Sequence, residues 1–206
     1  MRGDGRRLKV RFVLHGTMTS HKMHLVVAVF NEPVDWIARW GSAAFVYVKN
    51  PNRVKEVQER LPDATVQELP NIGRESHTFL HHIVKHFHNL PSQLVFAQGN
   101  PWDHVDAQRF EEAVAQAAEF EPLGKLFLCR DDGCPHHCGL PLKQLFDEMF
   151  GVCQFQFKFV VGAQFVVSRA RIHRFSLETF QALLDLHATQ PSLPWMLERC
   201  WLEMFA

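Results

Sequence analysis

Tyrosine is nearly missing from this chain, with 1 residue against 18 phenylalanines. Phenylalanine has no hydroxyl to place at a surface, so the aromatic content reads as buried core. Charge of one sign is not in excess either. Lysine plus arginine number 22 and aspartate plus glutamate 22, which gives no electrostatic reason to expect nucleic acid or an anionic membrane as partner. No apolar run approaches the roughly 20 residues of a membrane-spanning helix. The stretch "HLVVAVF" is too short, and "NEP" follows it directly, so it reads as a strand rather than a signal peptide. The five cysteines, Cys129, Cys134, Cys138, Cys153 and Cys200, are odd in number and irregular in spacing. That argues against the disulfide framework of a small secreted domain. Repeats, low-complexity segments and linkers are also absent. With no signal, no span and no disulfide pattern, the expectation is a cytoplasmic protein without an integral membrane segment.

What is there suits a globular fold. The 206 residues are 47% hydrophobic and 21% charged, enough for one domain with a sizeable core. Residues 1–22 are basic and weakly patterned. Three readings stay open for them: a flexible leader, an added strand, or a start assigned too early. Residues 23–206 read as a single α/β domain.

Apolar runs at "LVVAVF" (residues 25–30), "AAFVYVKN" (43–50), "ATVQELP" (64–70) and "QLVFAQ" (93–98) predict strands. Between them lie a short helix after "NEPVDWIARW", an amphipathic helix in "PNRVKEVQERLP" and a longer one over residues 74–88. "DAQRFEEAVAQAAEF" predicts another helix, and residues 121–141 a long loop. Then come a helix at "LKQLFDEMF", strands at "FQFKFVV" and "AQFVVS", and two C-terminal helices, the first capped by Ser176. Alternating strands and helices predict a three-layer α/β sandwich with a mostly parallel central sheet. Ligands of such sheets sit outside the carboxyl ends of the strands. That singles out "FNEP", "YVKN" and "AQGNPWDH".

"NIGRESHTFLHH" opens the helix over 74–88. Helical periodicity puts Phe79, Leu80, Ile83, Val84 and Phe87 on a core face. Arg74, His77, His81 and His88 line one flank, and Glu75, His82 and His86 the other, so the histidines are expected at the polar margins. His77 and His81 stand at i and i+4, a spacing that can chelate a metal. Gly73 allows a close backbone approach, Arg74 brings a positive fork, and the free N–H groups of the first turn favour an anion such as a diphosphate. A plain N-cap turn is the alternative.

Asn100, Asp103, His104 and Asp106 offer oxygen and imidazole ligands for a divalent cation that bridges phosphates, or simply a capped turn. "CRDDGCPHHCG" has three cysteines but no Cys-x2-Cys pair, so structural zinc is not expected. His136 and His137 beside it would instead line the mouth of a site. Gly162 and Gln164 lie between two apolar strands, a pattern that marks close approach of ligand or backbone. Glu198, between Trp195 and Trp201, is either a base with a raised pKa or one half of a surface pair with Arg199.

The blocks "VAVFNEPVDWI", "VYVKN", "LPNIGRESHTFLHHIVKHFHNLP", "VFAQGNPWDH", "PHHCGLPL", "GAQFVVSR" and "PWMLERCW" occur in order over roughly residues 25–206. Together they resemble the domain of unknown function 3431 family. The family's pattern looks like a compact glycosyltransferase of the GT-A type. Its Asn-x-Gly-Arg turn and C-terminal aliphatic-Glu-Arg segment are similar to those of the rhamnan-synthesis F glycosyltransferases. In GT-A enzymes the first strand and its loop bind the nucleotide, and a metal-binding Asp-x-Asp follows a later strand. Here "NPWDH" stands in that place without an Asp-x-Asp, a departure that bears on metal dependence.

The resemblance implies transfer of a sugar from a nucleotide-diphosphate donor to an acceptor. Phe30, Asn31 and Glu32 would border the base and ribose. Asn71, Gly73 and Arg74 would face the diphosphate. Asn100, Asp103 and His104 would hold manganese or magnesium, or the donor sugar. Gln164 would touch sugar or acceptor, and Glu198 would be the base. Two alternatives stand beside it. One is a metal-dependent hydrolase built on His77, His81, Asp103 and His104. The other is a non-catalytic nucleotide-sugar-binding module.

Overall fold

The computed structural model describes residues 23–134, 136–152 and 154–206. The expectations for residues 1–22 and for Cys153 lie outside that range. In chain order the elements are β1 (Met23–Val29), β2 (Ala44–Val48), α1 (Val54–Arg60), β3 (Thr65–Glu68), α2 (Arg74–His86), β4 (Gln93–Gln98) and α3 (Ala107–Gln116). They continue with β5 (Phe120–Pro122), β6 (Leu126–Arg130), β7 (Gly133–Cys134), β8 (His137–Cys138), α4 (Leu142–Phe150), β9 (Gln156–Val160) and β10 (Phe165–Ser168). The C-terminal helices are α5 (Arg169–Ile172), α6 (Leu177–Leu186) and α7 (Leu193–Phe205). Short 3-10 turns fill Asp35–Ala43, Pro51–Arg53, Phe87–Asn89 and Pro101–Asp103.

Six strands form the main sheet in the order β3-β2-β1-β4-β10-β5. β1 pairs in parallel with β2 and with β4, and β2 in parallel with β3. Only β10 runs against its neighbours. The continuous apolar runs of β1 and β4 follow from burial on both faces. On one face Leu25, Val27, Val29, Val46 and Val95 pack with Ile37, Val57 and Phe110. On the other, Val26, Tyr47, Phe96 and Phe165 pack with Phe79, Leu145, Phe180 and Trp201. These two cores make the expected three layers.

Residues 121–141 are not one long loop. They hold β5 and the strands of a second, antiparallel sheet in the order β8-β7-β6-β9. Arg130 pairs with Gly133 across a two-residue Asp131-Asp132 turn. Asp131-Asp132 is not one of the favoured two-residue turn pairs, so the sequence carried no clear hairpin signal there. The two sheets share a core, since Cys129 and Phe159 belong to the same cluster as Phe96 and Phe165. The helix predicted through residue 120 ends instead at Gln116, where Ala117 turns left-handed with φ 46°.

Two of the four histidines of α2 are buried rather than at polar margins, while His81 and His86 are half-buried. His82 is fully buried and His77 nearly so. The reason is that α2 meets β1 on one side and α6 and α7 on others, so its flanks are covered as well as its core face. Tyr47 from β2 reaches His82, with 2.9 Å between its hydroxyl and Nδ1.

Candidate functional site

The strand order reverses between β1 and β4, so the crevice favoured for ligands opens at their carboxyl ends. After β1, Glu32 folds back on its own loop. Its Oε2 accepts the Phe30 N–H at 2.6 Å and the Asn31 N–H at 3.0 Å. Asn31 Oδ1 accepts from Asn50 Nδ2 at 2.7 Å, which ties the β1 loop to the end of β2. After β4, Trp36 Nε1 donates to the Gly99 carbonyl at 2.9 Å. Asn100 Nδ2 donates to Asp103 Oδ1 at 2.8 Å. Gly99 lies directly against Glu32, where a β-carbon would come 2.7 Å from its Oε2. The two loops therefore pack as one wall.

Gln164, expected to contact sugar or acceptor, is 1% exposed. Its amide is used inside the protein. Nε2 donates to the Pro101 carbonyl at 3.1 Å and Oε1 accepts the Gln98 N–H at 3.2 Å. It positions the β4 loop rather than presenting a group to a ligand. Gly162 beside it has φ 92°. The close approach there is made by His104, whose ring atoms Cδ2 and Cγ would lie 2.5 and 2.6 Å from an added β-carbon.

The N-I-G-R turn forms the opposite side. Gly73 and Arg74 both have positive φ, 62° and 49°, a conformation that costs an arginine energy. The space a Gly73 side chain would need is filled by His187 of α6, 2.1 Å from an ideal β-carbon. Gly73 is thus required by this internal contact. Asn71 and Arg74 are exposed, and no side chain caps the N-terminus of α2. Arg74 lies over the ring of Trp195 at 5.9 Å, with its Nε 3.5 Å from Glu75 Oε2.

Two charged groups that the sequence reading did not select lie under this turn. Lys49, the first residue after β2, is 4% exposed and donates through Nζ to the Ile72 carbonyl. Burial pushes its pKa down to about 8, partly countered by Glu75. Burial pushes the Glu75 carboxyl up, Glu198 adds to that, and Arg74 and Lys49 pull it down. A lysine directly after a buried strand, at the carboxyl edge, was the signal available for Lys49. Glu75 had none, because its burial depends on how α2 meets α7.

Glu198 is held at both oxygens. Oε1 accepts the Gly162 N–H at 2.8 Å and Oε2 accepts Arg199 Nη1 at 2.7 Å. The Glu198–Arg199 pair is not a surface pair, since the arginine side chain is 2% exposed and its guanidinium lies 4.5 Å over the Phe159 ring. Arg199 Nη2 also donates at 3.2 Å to Cys134 Sγ and at 3.2 Å to His137 Nδ1. Burial and Arg199 both lower the His137 pKa, which fits an unprotonated Nδ1 acceptor. His137 is thus linked to Glu198 through Arg199, while His136 is exposed.

His77 and His81 stack on each other with ring centroids 6.4 Å apart. His77 meets His187 and His81 meets Tyr47, whereas His104 lies against Gly162. No group of three or more His, Cys, Asp or Glu that could hold a metal ion occurs among the described residues. The ligand set of the hydrolase alternative is therefore not assembled. Of the proposed cation ligands, Asp103 is bonded to the Asn100 amide, and His104 packs instead against Gly162. Asp103 alone does not make a metal centre. Three large apolar side chains stand exposed on the loops described: Phe30 after β1, Ile72 in the turn and Trp102 after β4.

A family model described as protein of unknown function (DUF3431) matches residues 25–121, from the start of the parallel sheet through most of β5. This supports the family resemblance over that stretch, which holds the β1 loop, the N-I-G-R turn and the β4 loop. No curated protein matches the chain. No helix among the described residues is long and apolar enough to cross a membrane.

Proposed function

We propose that the carboxyl edge of the main sheet binds a nucleotide-diphosphate sugar and transfers the sugar to an acceptor hydroxyl, with a GT-A-like architecture. The observation that carries this reading is the uncapped N-terminus of α2, bearing exposed Arg74, next to the Glu198–Arg199 pair. The exposed Arg74 guanidinium at the positive end of the helix suits a diphosphate, although the Glu75 carboxylate already accepts its own N–H in that turn. Exposed Phe30 and Trp102 offer faces for a base or sugar ring. Glu198 takes the proton of the acceptor hydroxyl, and Gly162 and Arg199 keep its carboxylate oriented. A divalent cation, if the donor brings one, would be held by Asp103 and would offset the charge of the diphosphate; no step above depends on it.

A second reading keeps the pocket without turnover. It is favoured by the internal hydrogen bonds that occupy Glu32, Gln164 and Glu198.

Thermal unfolding with the five nucleoside diphosphates and their sugars, with and without manganese, tests both. A ligand at 100 times its Kd adds about 2.7 kcal/mol, which is roughly 5–10 °C for a chain of this size. The expected result is a shift with one base, lost in Arg74→Ala. A shift that needs manganese and is lost in Asp103→Ala supports the bridging cation. Nucleotide release from that donor separates the transferase from the silent module. No shift with any nucleotide overturns the proposal.

A further inference from the structure

The β6–β7 hairpin carries a feature independent of donor binding. Arg130 faces Gly133, so one step further along the same antiparallel register sets Cys129 opposite Cys134. Directly opposed residues in such a ladder have Cα atoms about 4.5–5.5 Å apart, within the roughly 4.4–6.8 Å that a disulfide spans. The two thiols interact with each other. They differ in setting. Cys129 is 1% exposed within the core, whereas Cys134 is only half-buried. Cys134 Sγ receives a hydrogen bond from Arg199 Nη2 at 3.2 Å. That guanidinium is otherwise held by Glu198, the Trp195 carbonyl and His137.

We propose that Cys134 and Cys129 are a reactive dithiol, a thiol-modification site at which Cys134 attacks a hydroperoxide and Cys129 closes the disulfide. The geometry assigns the roles: the accessible sulfur beside a fixed cation attacks, and the buried one opposite it resolves. Burial opposes ionisation of Cys134. The Arg199 hydrogen bond and charge outweigh it, helped by the His136 and His137 backbone N–H groups, and the net direction is downward. Cys129 is pushed up by burial.

The chemistry balances with the hydroperoxide as oxidant. The Cys134 thiolate attacks one peroxide oxygen, an S–O bond forms, the O–O bond breaks, and the leaving oxygen takes a proton. Cys129 sulfur then attacks the Cys134 sulfenic acid. The S–S bond forms, and hydroxide departs with the Cys129 proton as water. Two thiols lose two electrons and the peroxide gains them.

The test uses the full chain, reduced, treated with hydrogen peroxide, capped with N-ethylmaleimide and digested with trypsin. Cleavage after Lys125, Arg130 and Lys143 separates Cys129 from Cys134 onto residues 126–130 and 131–143. The expected product is these two peptides joined through Cys134, formed equally in Cys138→Ser and independent of protein concentration. Both peptides alkylated, or a link through Cys138, overturns the proposal. The role of Arg199 has its own readout. At pH 7 Cys134 should alkylate several-fold faster than Cys138, although Cys138 is the more exposed, because Arg199 stands beside the Cys134 sulfur. Arg199→Gln should abolish that ratio. If this variant does not fold, the wild-type pH profile decides: a Cys134 alkylation midpoint at or above that of Cys138 removes the activating role of Arg199.

Discussion

Glu198 Oε1 accepts the backbone N–H of Gly162 at 2.8 Å, while His104 packs against the same glycine from the other side. One residue without a side chain thus joins the C-terminal helix to the β4 loop. Gly162→Ala must place a β-carbon 2.5 Å from the His104 ring, at φ 92°. Strain at such a φ costs about 1–3 kcal/mol, and overpacking about as much again. The expected outcome is a lower urea midpoint, together with loss of the donor-induced thermal shift in whichever nucleotide gives one.

Removing the carboxylate of Glu198 should cost more stability than its position suggests. Its partner Arg199 is 2% exposed, and Arg199 Nε already lacks a hydrogen-bond partner among the described residues. Taking one member from a buried ion pair costs about 3–5 kcal/mol. Glu198→Ala is expected in that range by chemical denaturation. Glu198→Gln keeps acceptor and volume and should lose clearly less, while losing the transfer reaction as fully as alanine does. If both variants keep turnover, Glu198 is not the base.

The legibility of these features in the sequence follows their physics. β4 was readable to the residue, since the four-residue apolar run Leu94 to Ala97 between two glutamines, bounded by turn residues, has one simple use. Ser176 was readable as a cap because capping is local, and its side chain accepts the Thr179 N–H. The hairpin at Cys129–Cys134 was hidden because a two-residue β7 has no periodicity to show. Gly162 and Gly73 were marked as points of close approach, and the groups that come near them are His104 and His187 of the chain itself. A sequence shows that something must come near a glycine. What comes near is decided by the packing of distant helices.

Stability should fall as the solution is acidified below neutrality. Burial lowers the pKa of His77 to about 3 and of His24 to about 4, and that of His82 well below the usual value. His81, His86 and His187 shift the same way. In the unfolded chain each titrates near 6.5. Between that value and the folded pKa the unfolded state binds more protons, so stability decreases as pH falls. A histidine that stays neutral, as His82 does, contributes about 1.4 kcal/mol per pH unit over that window. The half-buried His24 and His86 add less because solvent screens them. Glu75, shifted up, works the other way, but it is one group against several. Urea unfolding at pH 7, 6 and 5 should show a steadily falling midpoint, and His82→Phe should flatten the slope. A midpoint unchanged between pH 7 and 5 contradicts the burial of these rings.

The N-I-G-R turn is held from two sides: Lys49 Nζ donates to the Ile72 carbonyl below it, and His187 presses against Gly73 from α6. Gly73→Ala meets both a backbone and a steric obstacle. A left-handed φ of 62° costs an alanine roughly 1–2 kcal/mol. The new β-carbon would also come 2.1 Å from His187 Cδ2 and 2.6 Å from His77 Cβ, an overpacking worth about 1–3 kcal/mol. The two costs separate in a double-mutant cycle. His187→Ala alone removes the ring whose Nε2 lies 2.9 Å from Ser76 Oγ, and is itself destabilising. In the double variant the ring contact is gone, so Gly73→Ala should then cost less, with a coupling of about 1 kcal/mol or more. Additive costs would mean that the glycine is required by its backbone angle and by His77, with His187 only a neighbour.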